Sequence, residues 1–213
     1  MFLLKLIPSK ILSSQARKPT GFIGRYLMTK IFNEGNADLN SFVKECLHLR
    51  SDDKVFEIGF GTGKLIKEIA AITTEGQVEG IDFSTAMLEQ ASKTNIHSIS
   101  TGKVFLHQGD CSALPAAEKY FDKLCSINTI YFFEEPGDYL KEMHRILKPN
   151  GIIAIGFRDN EQMSKLNLDM EVFRTYSKDD VVNLLINAGF LETKVLEKDS
   201  SPFVSYCAIG KKA

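Results

Sequence analysis

The chain has 213 residues, 44% of them hydrophobic and 25% charged, with a formal net charge of −1. Size and composition match one ordinary soluble α/β domain with additions, and the near-neutral charge excludes whole-molecule attraction to a polyanion. No apolar run approaches the roughly 18 residues that cross a bilayer.

The N-terminus carries Lys5, Lys10, Arg17, Lys18, Arg25 and Lys30 before the first acid, Glu34. A transit peptide shares this basic, acid-poor character, whereas Lys5 and Pro8 interrupt the apolar stretch of a signal peptide. Phe2 to Ile7 reads as an amphipathic segment that docks on its own protein, the preferred reading, or touches a membrane surface weakly through its basic flank. A break at Lys18-Pro19-Thr20-Gly21 precedes two helical stretches, about 22–33 and 37–49, separated by the turn-like Asn33-Glu34-Gly35-Asn36.

From Asp52 short apolar runs alternate with segments of helical period. Strands are predicted at Val55–Ile58, Val78–Ile81, Val104–Leu106, Lys123–Ile127 and Ile152–Phe157. Between them come a helix with Leu65, Ile66, Ile69 and Ile72 on one face, and another capped by Ser84 and carrying Met87, Leu88 and Ala91. A loop from Cys111 to Phe121 follows the third strand. Leu140, Met143 and Leu147 mark a further helix that Pro149-Asn150-Gly151 should stop, and Lys178–Ala188 a last one ending at Gly189. Such alternation implies a parallel sheet with helices on both faces. Leu191–Leu196 and Phe203–Ile209 are joined only by Lys198–Pro202, too short for a parallel crossover, so they form an antiparallel hairpin.

The segment richest in chemistry is Val55-Phe56-Glu57-Ile58-Gly59-Phe60-Gly61-Thr62-Gly63-Lys64. A strand enters three alternating glycines and a helix starts at once, so backbone can approach a ligand beside unpaired N–H groups. Lys64 stands where the dinucleotide fingerprint wants its last glycine, and no phosphate loop of the G-x-x-x-x-G-K-[ST] type is completed. Glu57, inside the apolar strand, would repel a pyrophosphate but attract a cation. The loop therefore suits a nucleoside with a positive appendage, against a simple tight turn. Asp82, in Gly80-Ile81-Asp82-Phe83-Ser84, can accept from ribose hydroxyls or serve as a helix-start acid. Asp110, in Gln108-Gly109-Asp110-Cys111, can meet an adenine amino group or simply start a loop.

Glu57-x-Gly59-x-Gly61-x-Gly63, Asp82, Asp110, Asn128 in Ser126-Ile127-Asn128-Thr129-Ile130-Tyr131, and Leu147-Lys148-Pro149-Asn150-Gly151 resemble, in order, the motifs of class I S-adenosylmethionine-dependent methyltransferases. The subgroup most resembled contains ubiquinone/menaquinone and other small-molecule methyltransferases. The resemblance implies a Rossmann-like, doubly wound, mostly parallel seven-stranded sheet ending in an antiparallel hairpin, with an N-terminal helical lid. Residues 1–50 would form the cap and 51–213 the S-adenosylmethionine-binding domain. It implies Glu57 and the Gly59, Phe60, Gly61 and Gly63 backbone at the methionine end, Asp82 at the ribose, and Phe83 and Met87 on one face of adenine. Asp110 and the Cys111 backbone would read the adenine edge, and Asn128 would close the methionine side. Asn150 departs from the usual glycine, but asparagine tolerates the left-handed region.

Methyl transfer to a small, apolar or lipid-like acceptor by in-line displacement is the expected activity, driven mainly by positioning. The acceptor should sit near Asn128, Tyr131, Phe132, Phe133, Glu134 and Glu135. Tyr131 or Glu134 could handle an acceptor proton, against an aromatic core capped by helix-starting acids, and no catalytic base is assigned. His48, His97, His107 and His144 read as structural or without a motif. Thr20 to Tyr26 is expected to be a lid, with Tyr26 or Arg25 near the methionine carboxylate. The alternatives are a nicotinamide-dependent oxidoreductase and a non-catalytic S-adenosylmethionine-binding protein. A nucleic-acid partner ranks low because no N/D-P-P-Y/F motif follows the fourth strand. Cys46, Cys111, Cys125 and Cys207 form no C-x-x-C pair and no ligand cluster with the histidines, so neither a metal nor a disulfide framework is expected and the location read is cytoplasmic.

Overall fold

The computed structural model describes residues 8–18, 36–166 and 168–213. The segment Phe2–Ile7, the helix expected at 22–33 and the lid expected at Thr20–Tyr26 lie outside the described residues. Two helices come first: α1 (Ser9–Arg17) and α2 (Ala37–Leu47). The alternating core then runs β1 (Lys54–Ile58), α3 (Lys64–Ile72), β2 (Gln77–Asp82), α4 (Thr85–Thr94), α5 (Ile96–Ser100) and β3 (Val104–Gln108). It continues through β4 (Phe121–Ile127), a 3-10 turn at Ile130–Phe132, α6 (Pro136–Ile146), β5 (Leu147–Phe157), α7 (Asn160–Ser164) and α8 (Lys178–Asn187). The chain closes on β6 (Leu191–Ser200) and β7 (Phe203–Lys211).

The strands form one seven-stranded sheet in the order β3-β2-β1-β4-β5-β7-β6. The first five are parallel, and β7 runs antiparallel to both β5 and β6. This is the doubly wound sheet with a terminal hairpin that the alternation and the short last turn predicted. β1 is buried on both faces, as a central parallel strand must be. On one face Val43 and Leu47 of α2, Ile66 and Ile69 of α3 and Ala91 of α4 pack over Val55, Cys125 and Ala154. On the other, Leu140 and Met143 of α6 and Val181 and Leu185 of α8 cover Phe56, Leu124 and Ile153.

Local signals explain most boundaries. Ser84 Oγ accepts from Met87 N at 3.4 Å and starts α4. Ser177 and Asp180 form a reciprocal capping box at the start of α8, and Gly189 turns left-handed (φ 97°) after its end. Ile72 departs from its expected face: it falls in the last turn of α3 and stays 39% exposed.

One helix end differs from the sequence expectation. Periodicity assigns Leu147 to the α6 face, but α6 stops at Ile146 and Leu147 opens β5. The last carbonyls of α6 are taken from outside the helix. Lys119 N donates to Arg145 O at 3.0 Å, Tyr120 N to Ile146 O at 2.8 Å, and Lys212 Nζ to His144 O at 2.6 Å. Pro149-Asn150-Gly151 therefore lie inside β5, with Asn150 at φ 64° as its tolerance of that region allows.

Candidate functional site

The carboxyl ends of β1 to β4 meet at a cleft, which the glycine loop enters at Gly59. Gly59, Gly61 and Gly63 all have positive φ, at 73°, 52° and 72°. Two of them are fixed by packing: a Cβ on Gly59 would lie 2.5 Å from Thr129 Oγ1, and one on Gly63 2.7 Å from Ala91 Cβ. Gly61 is different, because nothing stands within 4 Å of its missing Cβ. The loop thus faces open space at its middle glycine and is packed on both sides.

Below it, Glu57 is 3% exposed and its Oε2 has no partner. Burial, then the charges of Asp82 and Glu68, push its carboxyl well above the ordinary range. A buried carboxyl oxygen left without a donor is costly unless a ligand supplies one. Asp82 is also buried, and its oxygens accept from Gly61 N and Ser84 N, each at 2.9 Å. Burial raises its carboxyl while those two N–H groups pull it back. A carboxylate offers about four lone-pair sites, so two acceptor positions stay available. Asp82 thus ties the glycine loop to the start of α4 while facing the cleft.

Beyond β3, Asp110 is exposed and accepts from Ser112 N at 2.7 Å. Cys111 beside it has its thiol pushed up to about 12 by burial and by the Asp110 charge, so it stays protonated. Phe83, 37% exposed, completes this side. Ile58, Gly59, Ile81, Asp82, Phe83, Gly109, Asp110 and Cys111 share the cleft wall with Arg17, Thr129, Phe132, Phe133 and Tyr139. Of the sequence-predicted residues, Phe60 and Met87 turn inward, 4% and 2% exposed. Phe60 packs under Gly80, so what it offers the loop is backbone.

Asn128 adopts φ 53°. Its Nδ2 donates to Asn36 Oδ1 at 2.9 Å and its Oδ1 accepts from Tyr131 Oη at 3.2 Å. Tyr131 is 3% exposed; it donates to Arg158 O and accepts from Arg158 N at 2.6 Å. Burial raises the Tyr131 hydroxyl above its ordinary value, and its contacts with Arg158 brace the ends of β4 and β5. Glu134 stands 77% exposed and pairs with Arg17 at 3.4 Å, outside the cleft wall. Neither Tyr131 nor Glu134 is among the residues that line the cleft.

Sequence reasoning missed Arg17, Thr129 and Tyr139. Thr129 sits directly after Asn128 but has no motif value of its own. Arg17 reaches the cleft because α1 lies across its mouth. Ser13 Oγ accepts from Asp169 N at 3.0 Å, Lys10 pairs with Glu171 at 3.1 Å, and Lys18 lies 5.8 Å from the centre of the Phe83 ring. Tyr139 stacks on Phe133 with centroids 4.6 Å apart, its hydroxyl beside Asp110. A wider, more polar depression lined by Asp38, Ser41 and residues 198–201 contains none of the glycine-loop residues.

Residues 56–155 match the family model described as a methyltransferase domain, the stretch that contains the glycine loop, Asp82, Asp110 and Asn128. The chain carries a methyltransferase domain, and with the fold this supports a class I S-adenosylmethionine-dependent methyltransferase. Its cofactor is S-adenosyl-L-methionine. It is 27% identical to YdaC, an uncharacterized methyltransferase of Bacillus subtilis, over 83% of this chain and 93% of that one. It is 32% identical to the ubiquinone/menaquinone biosynthesis C-methyltransferase UbiE of Geotalea daltonii, over 48% of this chain and 44% of that protein. A solved S-adenosylmethionine-dependent methyltransferase from Aquifex aeolicus superimposes with a TM-score of 0.75 at 20% identity, over 89% of this chain and 98% of that one, a likeness of fold. The residues present fit the cofactor: a buried carboxyl oxygen without a partner lies beneath a loop whose middle glycine opens onto free space. Among the described residues no helix of the methyltransferase is long and apolar enough to cross a membrane.

Proposed function

We propose that this methyltransferase acts on a small, apolar acceptor in the cytoplasm, with the roles along the cleft divided by element. Glu57 and the Gly59–Gly63 backbone hold the methionine end, Asp82 the ribose, Phe83 and the Asp110–Cys111 segment the adenine, and Asn128 the wall beside the methionine. Phe60 and Met87 support these groups from beneath. Residues 1–50 act as the cap and 51–213 carry the chemistry. The observation that carries the reading is the unpartnered Glu57 carboxyl oxygen under the open Gly61.

Bound there, S-adenosylmethionine supplies a methyl group already activated on a sulfonium. The chain's part is then alignment and exclusion of water. Thr129, packed on Gly59, and Asn128, fixed from both sides by Asn36 and Tyr131, keep the wall beside the loop rigid. Phe132 lines the cleft and lies 4.8 Å from Phe173, centroid to centroid, with Tyr131 against both. This aromatic wall suits a flat or apolar acceptor and lowers the local dielectric around the reacting atoms. Holding two reactants in line accounts for a large share of such a rate acceleration without a base.

The test is calorimetric titration of the full chain with S-adenosylhomocysteine and with NADH. Saturable binding of the first and none of the second is expected, and the reverse pattern would make the protein a nicotinamide enzyme. Turnover with a panel of small aromatic and lipid-like acceptors then separates the enzyme from a silent cofactor-binding protein, and methylation of charged polymers alone would contradict the proposed acceptor.

A further inference from the structure

Arg17 is the one cationic residue among the described residues that line the cleft; the acids there are Asp82 and Asp110. Its partner is Glu134, 3.4 Å away, with side chains 44% and 77% exposed, a pairing that contributes little in water. Nor does the pair hold α1 in place. The helix is anchored by fully buried Ser13, which accepts from Asp169 N, and by Ala16 packed against the core. An arginine delivered to the mouth of an acid-lined cleft, and not needed to dock its own helix, has a guanidinium to offer a ligand.

The cofactor itself poses a matching problem. It carries a sulfonium, an ammonium and one carboxylate; Glu57, Asp82 and Asp110 answer the positive groups and the hydroxyls, but none can receive the carboxylate. We propose that Arg17 is the anion-binding residue of the methyl-transfer site, its planar fork receiving a carboxylate of the cofactor's methionine end or of the acceptor. The assignment rests on the reading that this cleft holds S-adenosylmethionine. Phe83, Phe132 and Phe133 rim the same space, and low-polarity walls strengthen a charge pair relative to the exposed one with Glu134. Arg17 would exchange the Glu134 carboxylate for the ligand's.

The experiment titrates the full-length protein, as wild type, Arg17→Met and Arg17→Lys, with three probes: S-adenosylhomocysteine, its decarboxylated analogue, which keeps the amine, and benzoate added to protein saturated with S-adenosylhomocysteine. If the carboxylate is the cofactor's, Arg17→Met weakens S-adenosylhomocysteine roughly tenfold, the effect of one charge-assisted hydrogen bond, and leaves the decarboxylated analogue unchanged. If it is the acceptor's, both nucleosides bind as before and benzoate binding is lost. Arg17→Lys restores part of whichever loss is seen, because charge is kept and the fork is not. Equal weakening of both nucleosides would reduce Arg17 to a general lid residue, and no change with any probe would remove the assignment. Wild type that binds neither nucleoside would overturn the cofactor reading together with the assignment built on it.

Discussion

At the residue scale the groups that matter are held ready by backbone. Asp82 joins Gly61 N to Ser84 N, so the middle glycine and the start of α4 move as one piece. Glu57 is the opposite case, a carboxyl in the core with an oxygen left open. Its raised folded value means that the empty protein keeps a proton there which the unfolded chain has lost. Stability of the empty form should therefore fall as pH rises from the ordinary carboxylate value of 4.5 through the raised one. A bound ammonium favours the ionised form, so cofactor binding should release a proton and tighten with pH across that window. Glu57→Gln should cancel the release, stabilise the empty protein at neutral pH and weaken S-adenosylhomocysteine about tenfold to a hundredfold, as loss of a charge-assisted contact does. Titrations in two buffers of different ionisation heat measure the proton count; an undiminished count in the variant would exclude Glu57 as its source. Glu57, Asp82 and Asp110 were legible because each acid sits at a strand end, where chain order alone puts it at the ligand edge. Arg17 and Tyr139 were not, since their position depends on where a helix docks, which no short spacing encodes.

At the scale of elements, α1 shows how little polar contact positions a helix across the cleft. Ser13 is completely buried and is the only described acceptor of the Asp169 N–H. Ser13→Ala leaves that donor unpaired under the helix, at a local cost of about 1–3 kcal/mol. Faster tryptic cleavage after Arg17, with an unchanged global melting temperature, is the expected result; equal cleavage rates would mean that Ser13 is not the anchor. Nothing in the basic leader announced this helix, whose apolar content is too small for a periodicity reading to separate it from a loop. The end of α6 was equally hidden. Its stop comes from Lys119, Tyr120 and Lys212, residues distant in the chain that take its last carbonyls. The glycine loop and the Ser84 cap, by contrast, are set within a few residues, and their local spacing is enough to place them.

At the scale of the whole molecule, α2 closes the sheet face behind the site. At Gly156 of β5 the packing is tight: a Cβ there would stand 2.6 Å from Val43 Cγ2 and 3.3 Å from Leu39 Cδ1. Gly156→Ala should force α2 outward and cost about 1–3 kcal/mol, as overpacking does. Thermal denaturation checks it, and a melting point equal to wild type would mean that the face yields freely. The parallel core and the final hairpin were legible from connection lengths. Those lengths leave open which hairpin strand borders β5, although composition held the sign: β6 is largely exposed and rich in charge, whereas β7 carries the buried run Ser205–Ala208.

That strand order bears on synthesis. The edge of β5, with Ile152, Ile153 and Ile155, pairs with 207–211, residues translated after every other strand of the sheet. While the ribosome is still making them, a nascent chain with β1 to β5 assembled presents an apolar, unpaired edge, the kind of surface that recruits chaperones or aggregates. The penultimate position of β7 in space and its last place among the strands in time make its synthesis the event that seals the sheet.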